Sequence, residues 1–262
     1  LLLALACLGL QSCLFQEENY FDDSSANRAT ADVNRCGELL KAAPNGWVME
    51  YYVGKDYSLG GITLLCRFDG QRVTMASQMA EADETVSSLY SVKSEQATML
   101  SFDTYNYLVH YFGQPQGSMS DDPNGTLGGD YEFIISSASD ERIELKGKKY
   151  GNRIVMRALT EDQTWKQYLN KIKKVEDDAF FYEYDLLMDG LYTGQMLRSN
   201  YTFIVTYYDE IGKVHQKTVP FMFTADGMRF HEPVTIDGQT MQNFVWKNEL
   251  ISFVCTDEGA TG

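Results

Sequence analysis

The 262-residue chain is poor in the residues that announce catalysis or nucleic-acid contact. It carries only 3 histidines, 5 cysteines and 5 prolines. His110, His215 and His231 are far apart. No Gly-x-Ser-x-Gly elbow, His-Glu-x-x-His pair, phosphate-binding glycine loop or Cys-x-x-Cys spacing occurs, so the motif-borne forms of hydrolase, metalloprotease and nucleotide chemistry find no support. Positive charge is also scarce. The 22 Lys and Arg stand against 37 Asp and Glu, a formal net charge of −15. Neutralising phosphates needs clustered cations, so nucleic acid is not an expected partner. The one basic cluster, from Lys146 to Lys149 with Arg153, is short and flanked by acids, and is expected to be a solvated hairpin edge. Beyond the N-terminal Cys7 and Cys13, the cysteines are Cys36, Cys66 and Cys255. Three thiols without paired spacing allow at most one disulfide and argue against a structural zinc site.

Long apolar runs are absent except at the start. Leu1 to Leu10 is apolar, but ten residues rise only about 15 Å as a helix, roughly half a bilayer core. The run ends in Leu10-Gln11-Ser12-Cys13 and passes at once into Gln16, Glu17, Glu18 and Asn19. An apolar segment closed by small residues reads as a secretory signal. With Leu at −3, Ser at −1 and Cys at +1, it resembles the lipobox of bacterial lipoproteins. That resemblance implies a signal at 1–12, an acylated Cys13, a tether over 13–23 and a membrane contact through the lipid. The acids after Cys13, including Asp22 and Asp23, resemble the surface-export signal of Bacteroidetes lipoproteins, which implies an outer-membrane anchor facing outward.

The rest is expected to be mainly β with a few helices, an α+β chain of antiparallel meanders forming sandwich- or barrel-like, even lipocalin-like, units. Aromatics make up 13% of the chain, with 17 tyrosines, and favour strands. Ser24 to Ala42 reads as an amphipathic helix through Ala29, Val33, Cys36 and Leu40, and Pro44-Asn45-Gly46 stops it. Strands are expected at Trp47–Val53, at Ile62–Phe68 and Val73–Ser77 around the hairpin signal Asp69-Gly70, at Val86–Val92 and at Thr98–Ser101. Phe102–Phe112 has a helical stripe. A second meander covers Tyr131–Ser136, Arg142–Lys146 and Arg153–Leu159. Thr160-Glu161-Asp162-Gln163 has the form of a capping box and predicts a helix to about Val175. Strands are then expected at Phe180–Leu187, Tyr201–Tyr208, Lys213–Phe223, Met228–Phe230, Val234–Ile236, Asn243–Trp246 and Leu250–Thr256. These elements divide the chain into a first β-rich domain with its N-terminal helix (24–159) and a second with its linking helix (160–262).

Four blocks carry a family resemblance: Asn45-Gly46-Trp47-Val48-Met49-Glu50-Tyr51-Tyr52, Leu100 to Asn106, Leu145 to Arg153, and Phe221-Met222-Phe223 through Val234 to Gly238. They resemble an uncharacterised Bacteroidetes family of surface lipoproteins, a domain of unknown function. The likeness spans most of the chain beyond the anchor. It implies an accessory place beside starch-utilisation-type outer-membrane uptake systems, with transporter components as partners. No activity and no functional residues carry over from it, and no cofactor is expected.

Two aromatic clusters are the candidate binding surface, since flat rings suit sugar faces and partner hot spots. Trp47, Tyr51 and Tyr57, with Tyr52, precede the first hairpin; Tyr105, Tyr107 and Tyr111, with Phe112, precede the long loop 113–129. That loop contains Ser120-Asp121-Asp122-Pro123-Asn124-Gly125, a partial calcium-loop pattern that fails at both ends, where Ser120 and Tyr131 replace acids, so no metal is expected. Acid pairs for glycoside hydrolysis carry no signal among 37 carboxylates. The expected function is that of a non-enzymatic surface component binding a glycan or nutrient; a surface hydrolase and a protein-docking subunit are the alternatives.

Overall fold

A computed structural model describes residues 24–260 apart from positions 121 and 210. The expected signal, the anchor Cys13 and the tether to 23 lie outside the described residues. The chain begins with helix α1 (Ser25–Ala42), capped by the Ser24 hydroxyl, which accepts a hydrogen bond from the Asn27 N–H at 3.2 Å. Cys36 and Leu40 are buried, whereas Ala29 and Val33 are only half-buried.

Eight antiparallel strands follow: β1 (Trp47–Tyr52), β2 (Gly61–Phe68), β3 (Arg72–Ser77), β4 (Val86–Ser94), β5 (Thr98–Phe102), β6 (Glu132–Ala138), β7 (Arg142–Gly147) and β8 (Arg153–Ala158). Each pairs with the next and β8 returns to β1, closing an up-and-down barrel. Closure leaves no unpaired sheet edge. Trp47, Met49 and Tyr51 of β1, Leu64 and Cys66 of β2, Phe133 of β6 and Met156 of β8 fill the interior. The interior is therefore packed rather than an open-mouthed cup. Helix α1 lies across the end where β1 begins: the Trp47 indole donates to Leu40 O at 2.9 Å, and Thr98 Oγ1 donates to Asp32 at 2.5 Å. At the opposite end, Phe112 meets Tyr51 edge-on at 6.1 Å.

Between β5 and β6 the expected helix over Phe102–Phe112 is corrected. Phe102 ends β5, because its N–H bonds Tyr131 O at 3.1 Å and the Asp103 N–H bonds Leu89 O at 2.9 Å, extending the ladder. Only Tyr107–His110, helix α2, is helical; the Asn106 side chain accepts from the Leu108 N–H to start it. In the following loop the Asp122 carboxylate serves the chain rather than a metal. It accepts from the Asn124 N–H, Thr126 Oγ1 and the Tyr150 hydroxyl, and those bonds hold it well below the usual carboxylate range. Among the described residues no three metal-ligating side chains cluster.

Helix α3 (Trp165–Asp178) joins the two β units. Its capping box is Thr164 with Gln167, four residues after the expected Thr160–Gln163 box. The Asn45 side chain explains the displacement: it donates to Thr160 O and Gln163 O, which holds 160–163 as a turn outside the helix.

The second unit is a seven-stranded antiparallel half-barrel: β9 (Glu183–Met188), β10 (Leu191–Ser199), β11 (Thr202–Tyr208), β12 (Val214–Phe223), β13 (Gly227–Ile236), β14 (Gln239–Lys247) and β15 (Ser252–Cys255). Strand β10 has no counterpart among the expected strands. Met228–Phe230 and Val234–Ile236, expected separately, are one strand with a bulge between Arg229 and Val234. The half-barrel's core residues Phe203, Phe221, Phe223 and Phe230 pack with Leu169 and Ile172 of α3 and with Val48, Leu65 and Ala76, which point outward from the barrel. All six residues of β1 are buried for this reason: one face looks into the barrel, the other at the half-barrel. Cys36, Cys66 and Cys255 are buried free thiols. No described helix is long and apolar enough to cross a membrane.

Candidate functional site

The pleat of three neighbouring strands assembles a polar wall on the outside of the barrel. On β7, Ile143 and Leu145 face inward, so Arg142, Glu144 and Lys146 face out; on β8, Ile154 and Met156 face inward, leaving Arg153, Val155 and Arg157 outside. Arg142 stands directly opposite Arg157 across the ladder. Glu50, which faces out from β1, is opposite Val155. Like charges placed directly opposite each other destabilise a sheet. Packing therefore does not explain this pair of arginines.

The half-barrel supplies the facing wall. In β13, the four residues between Arg229, opposite Asn243, and Val234, opposite Met241, face Gln242 alone, so the strand bulges there. Pro233 has no N–H and suits such an interruption. The bulge aims Arg229 and His231 across the seam. Arg229 Nε donates to Asn243 Oδ1 at 2.8 Å, and its Nη1 pairs with Glu50. Asn243 is fixed in turn by Asp257, which accepts from its N–H at 2.7 Å and from its amide at 2.6 Å. Arg157 Nε approaches Glu50 at 3.5 Å.

Between the walls lies a cleft of about 380 Å³, lined by Glu50, Tyr52, Arg142, Arg153, Arg157 and Arg229 together with Val155, His231, Pro233, Gln242 and Asn243. Four arginines meet one lining carboxylate there, in a chain of net charge −15. The carboxylate is committed, because the Glu50 side chain is 10% exposed and sits against Arg229. Arg142 is held by Glu144 through two bonds to one oxygen. Arg153 has no hydrogen-bond or ion-pair partner among the described residues, and Arg157 Nε is buried without a hydrogen bond. The His231 side chain is 6% exposed and its Nε2 is also without a partner. Burial lowers the His231 pKa, Glu232 opposes that shift and Arg153 adds to it, so the ring is neutral at neutral pH.

The expected aromatic surface divides sharply. Trp47 and Tyr51 are not on a surface at all: both are 0% exposed inside the barrel, and Tyr51's hydroxyl is used up donating to Asp130 O and accepting from the Asp130 N–H. Tyr57 reaches the cleft indirectly, its ring lying 3.8 Å from that of His231, with Tyr52 at 4.6 Å on another side. Tyr57 and its neighbour Asp56 both have positive φ, 56° and 54°, an uncommon backbone for such residues. Tyr105 and Tyr111 are exposed and Tyr107 is half-buried, its hydroxyl 2.5 Å from Glu84 Oε1. None of the three lines the cleft. Sequence reasoning passed over Glu50, Arg142, Arg157, Arg229 and His231. The alternation Arg142-x-Glu144-x-Lys146 and Arg153-x-Val155-x-Arg157 was the available signal for the first wall.

Fold and cleft together define a two-unit antiparallel β protein with a cationic site at the seam between its units. The chain belongs to the family of the domain of unknown function DUF4302, which matches residues 17–248. No curated protein and no solved structure matches it.

Proposed function

We propose that this protein is a non-enzymatic binding component, displayed at the cell surface, that captures a polar small molecule or glycan in the seam cleft for an uptake system. The observation that carries this reading is the cleft itself. It is of ligand size, it is built by both β units, and it holds a buried imidazole nitrogen that the protein leaves without a partner. Capture is favoured over hydrolysis because acid-pair glycoside cleavage needs two available carboxyl groups, while Glu50 is the cleft's one carboxylate and is already paired. Surface display is supported by the lipobox resemblance around Cys13 and by the acids that follow it. The family resemblance described above supports Bacteroidetes origin and partnership with outer-membrane transporter components.

Thermal-shift titration of the chain against a panel of oligosaccharides, with product analysis, tests the reading. Ligand at ~100 times its dissociation constant adds about 2.7 kcal/mol of stability. A selective rise in melting temperature without product is the expected result; product formation would replace capture with hydrolysis. Absence of any shift would favour a protein-docking subunit, a reading that the exposed Phe180, Tyr182 and Leu191 of the half-barrel support. For the anchor, Cys13→Ser is expected to release the protein from membranes, and full retention would remove the lipoprotein assignment.

A further inference from the structure

We infer that the ligand of the seam cleft carries an oxyanion, as carboxylate, sulfate or phosphate, with Arg153 as its primary anchor. This rests on the reading of the cleft as a ligand site and goes beyond it by naming the chemistry recognised.

The cleft's guanidinium donors outnumber the protein groups that meet them. Arginine guanidinium groups present several N–H donors in a planar fork that matches oxyanions. In a wall that served stability alone, those donors would be met by protein carboxylates. Here Arg142 and Arg229 have such partners, Glu144 and Glu50. Arg157 shares Glu50 at 3.5 Å and leaves its buried Nε without a hydrogen bond. Arg153 has no partner among the described residues, and its field reaches both His231 and Glu144. Across the two walls, four arginines against their two carboxylate partners leave an excess of two positive charges; Glu232, 3.9 Å from His231 Nδ1, is turned to solvent.

Composition makes the excess more telling. The chain as a whole carries −15, so its surface repels anions on approach while this cleft offers them a local minimum. Arg157 also stands directly opposite Arg142 on the ladder. A bound anion between or beside the two guanidinium groups would relieve that repulsion. The remaining open donor site has the same preference. A neutral His231 can present N–H at Nε2, and its ring is held in place by Tyr52 and Tyr57. Arg229 is set by Asn243, which is set by Asp257, so the facing wall is organised before a ligand arrives. Glu50 acts in this arrangement as a resident carboxylate that holds Arg229 ready.

Isothermal titration of the full chain tests the inference with inorganic phosphate, inorganic sulfate, an oligogalacturonate, a sulfated oligosaccharide and an uncharged oligosaccharide of matched length. The arms separate the three oxyanion chemistries. At least one anionic probe is expected to bind ~10-fold or more tightly than the uncharged one, with affinity falling as salt rises. Arg153→Ala should weaken that binding by about ten-fold, and Arg153→Lys should restore part of it. Arg67→Ala, outside the cleft, should leave it unchanged. Arg153 has no partner to orphan, so its loss should leave the melting temperature of the free protein in place. Equal binding of charged and uncharged saccharides, unmoved by Arg153→Ala, would overturn the oxyanion while leaving the cleft a ligand site. Failure of every probe up to 10 mM, charged and uncharged alike, would overturn both.

Discussion

The two β units solve the same problem differently. The barrel buries its core by closing on itself: β8 pairs with β1, and both ends are covered, one by α1 and the other by α2 with Phe112. Among the described residues the half-barrel has seven strands, with β9 and β15 at its edges. It covers its core with borrowed surface, namely α3 and the outward residues Val48, Leu65 and Ala76 of the barrel. Its outer side remains apolar in places, with Phe180 at 72% exposure, Tyr182 at 78% and Leu191 at 71%. The first unit has its core within one closed sheet, while the second is completed by its neighbour. A site at the seam is therefore coupled to the stability of the second unit, because the strands that seat the half-barrel also carry Glu50 and Tyr52.

The largest expected effect lies in the barrel core. Trp47→Ala removes a fully buried indole and its bond to Leu40 O, and should destabilise the protein by about 3–5 kcal/mol. Because the barrel presents the surface on which the half-barrel sits, chemical denaturation should show both units unfolding in one transition. Two separated transitions would show that the half-barrel holds its core unaided.

Gly60 tests the seam from the other direction. It has φ +67°, and a Cβ there would collide with the Cβ and carbonyl oxygen of Tyr201 and lie 2.8 Å from Phe221 O. Gly60→Ala should cost about 3 kcal/mol through left-handed backbone and overpacking together. The loss should fall on the junction. Hydrogen exchange is expected to accelerate in β11 and β12 while the amides of β6 and β7 stay protected. Uniform acceleration would mean that the two units are not distinguishable in stability.

Next in size is Glu50→Ala, expected to cost about 2–3 kcal/mol, less than a fully buried pair because Arg229 keeps 26% side-chain exposure. Denaturant titration of Glu50→Ala, Arg229→Ala and the double variant measures the coupling. A double variant as unstable as the sum of the singles would mean that the two residues do not act as a pair.

The difference between the units also explains what the sequence disclosed. The barrel strands and their turns are legible because Asp69-Gly70 and the alternation of Arg142 to Lys146 report local geometry. The all-buried β1 defeats the same reasoning. Both its faces are covered, so no polar alternation separates inward Trp47 and Tyr51 from outward Tyr52, and the first two were expected at a surface. In the half-barrel, β10 is obscured by Gly194 within it and by a mixture of exposed Leu191 and Tyr192 with polar residues. The Asp189-Gly190 turn before it was the readable cue. The cleft was only half visible. Arg153 and its lysine neighbours stood out as a basic cluster, but the pairing of Glu50 with Arg229, 179 residues apart, is a property of docking between units that periodicity in either strand does not encode.

Leu191→Lys probes the unfinished exterior of the half-barrel. The side chain is 71% exposed, so stability should change by no more than about 0.5 kcal/mol. Sedimentation velocity at rising concentration is the sharper readout. If the apolar exterior is an interaction surface, the variant should associate less than the parent chain.

A modest effect of pH joins the half-barrel's edge to the site. Burial alone would raise the Asp257 pKa, but the N–H and side chain of Asn243, the Gln242 N–H and Cys255 outweigh it and hold the carboxyl below its ordinary range. A depressed folded-state value means that the contribution is complete above the unfolded carboxylate value of about 3.9 and is lost as pH falls through the folded one. Acidification below pH ~4 should therefore weaken the protein by under about 1 kcal/mol through this group, and Asp257→Asn should flatten that part of the stability profile. The same variant loosens Asn243 and, through it, Arg229. Anion affinity measured at pH 7 should then fall modestly in Asp257→Asn although the residue does not line the cleft. If affinity is unchanged while the acid limb flattens, Arg229 is positioned by Glu50 alone, and the half-barrel contributes a wall to the site without organising it.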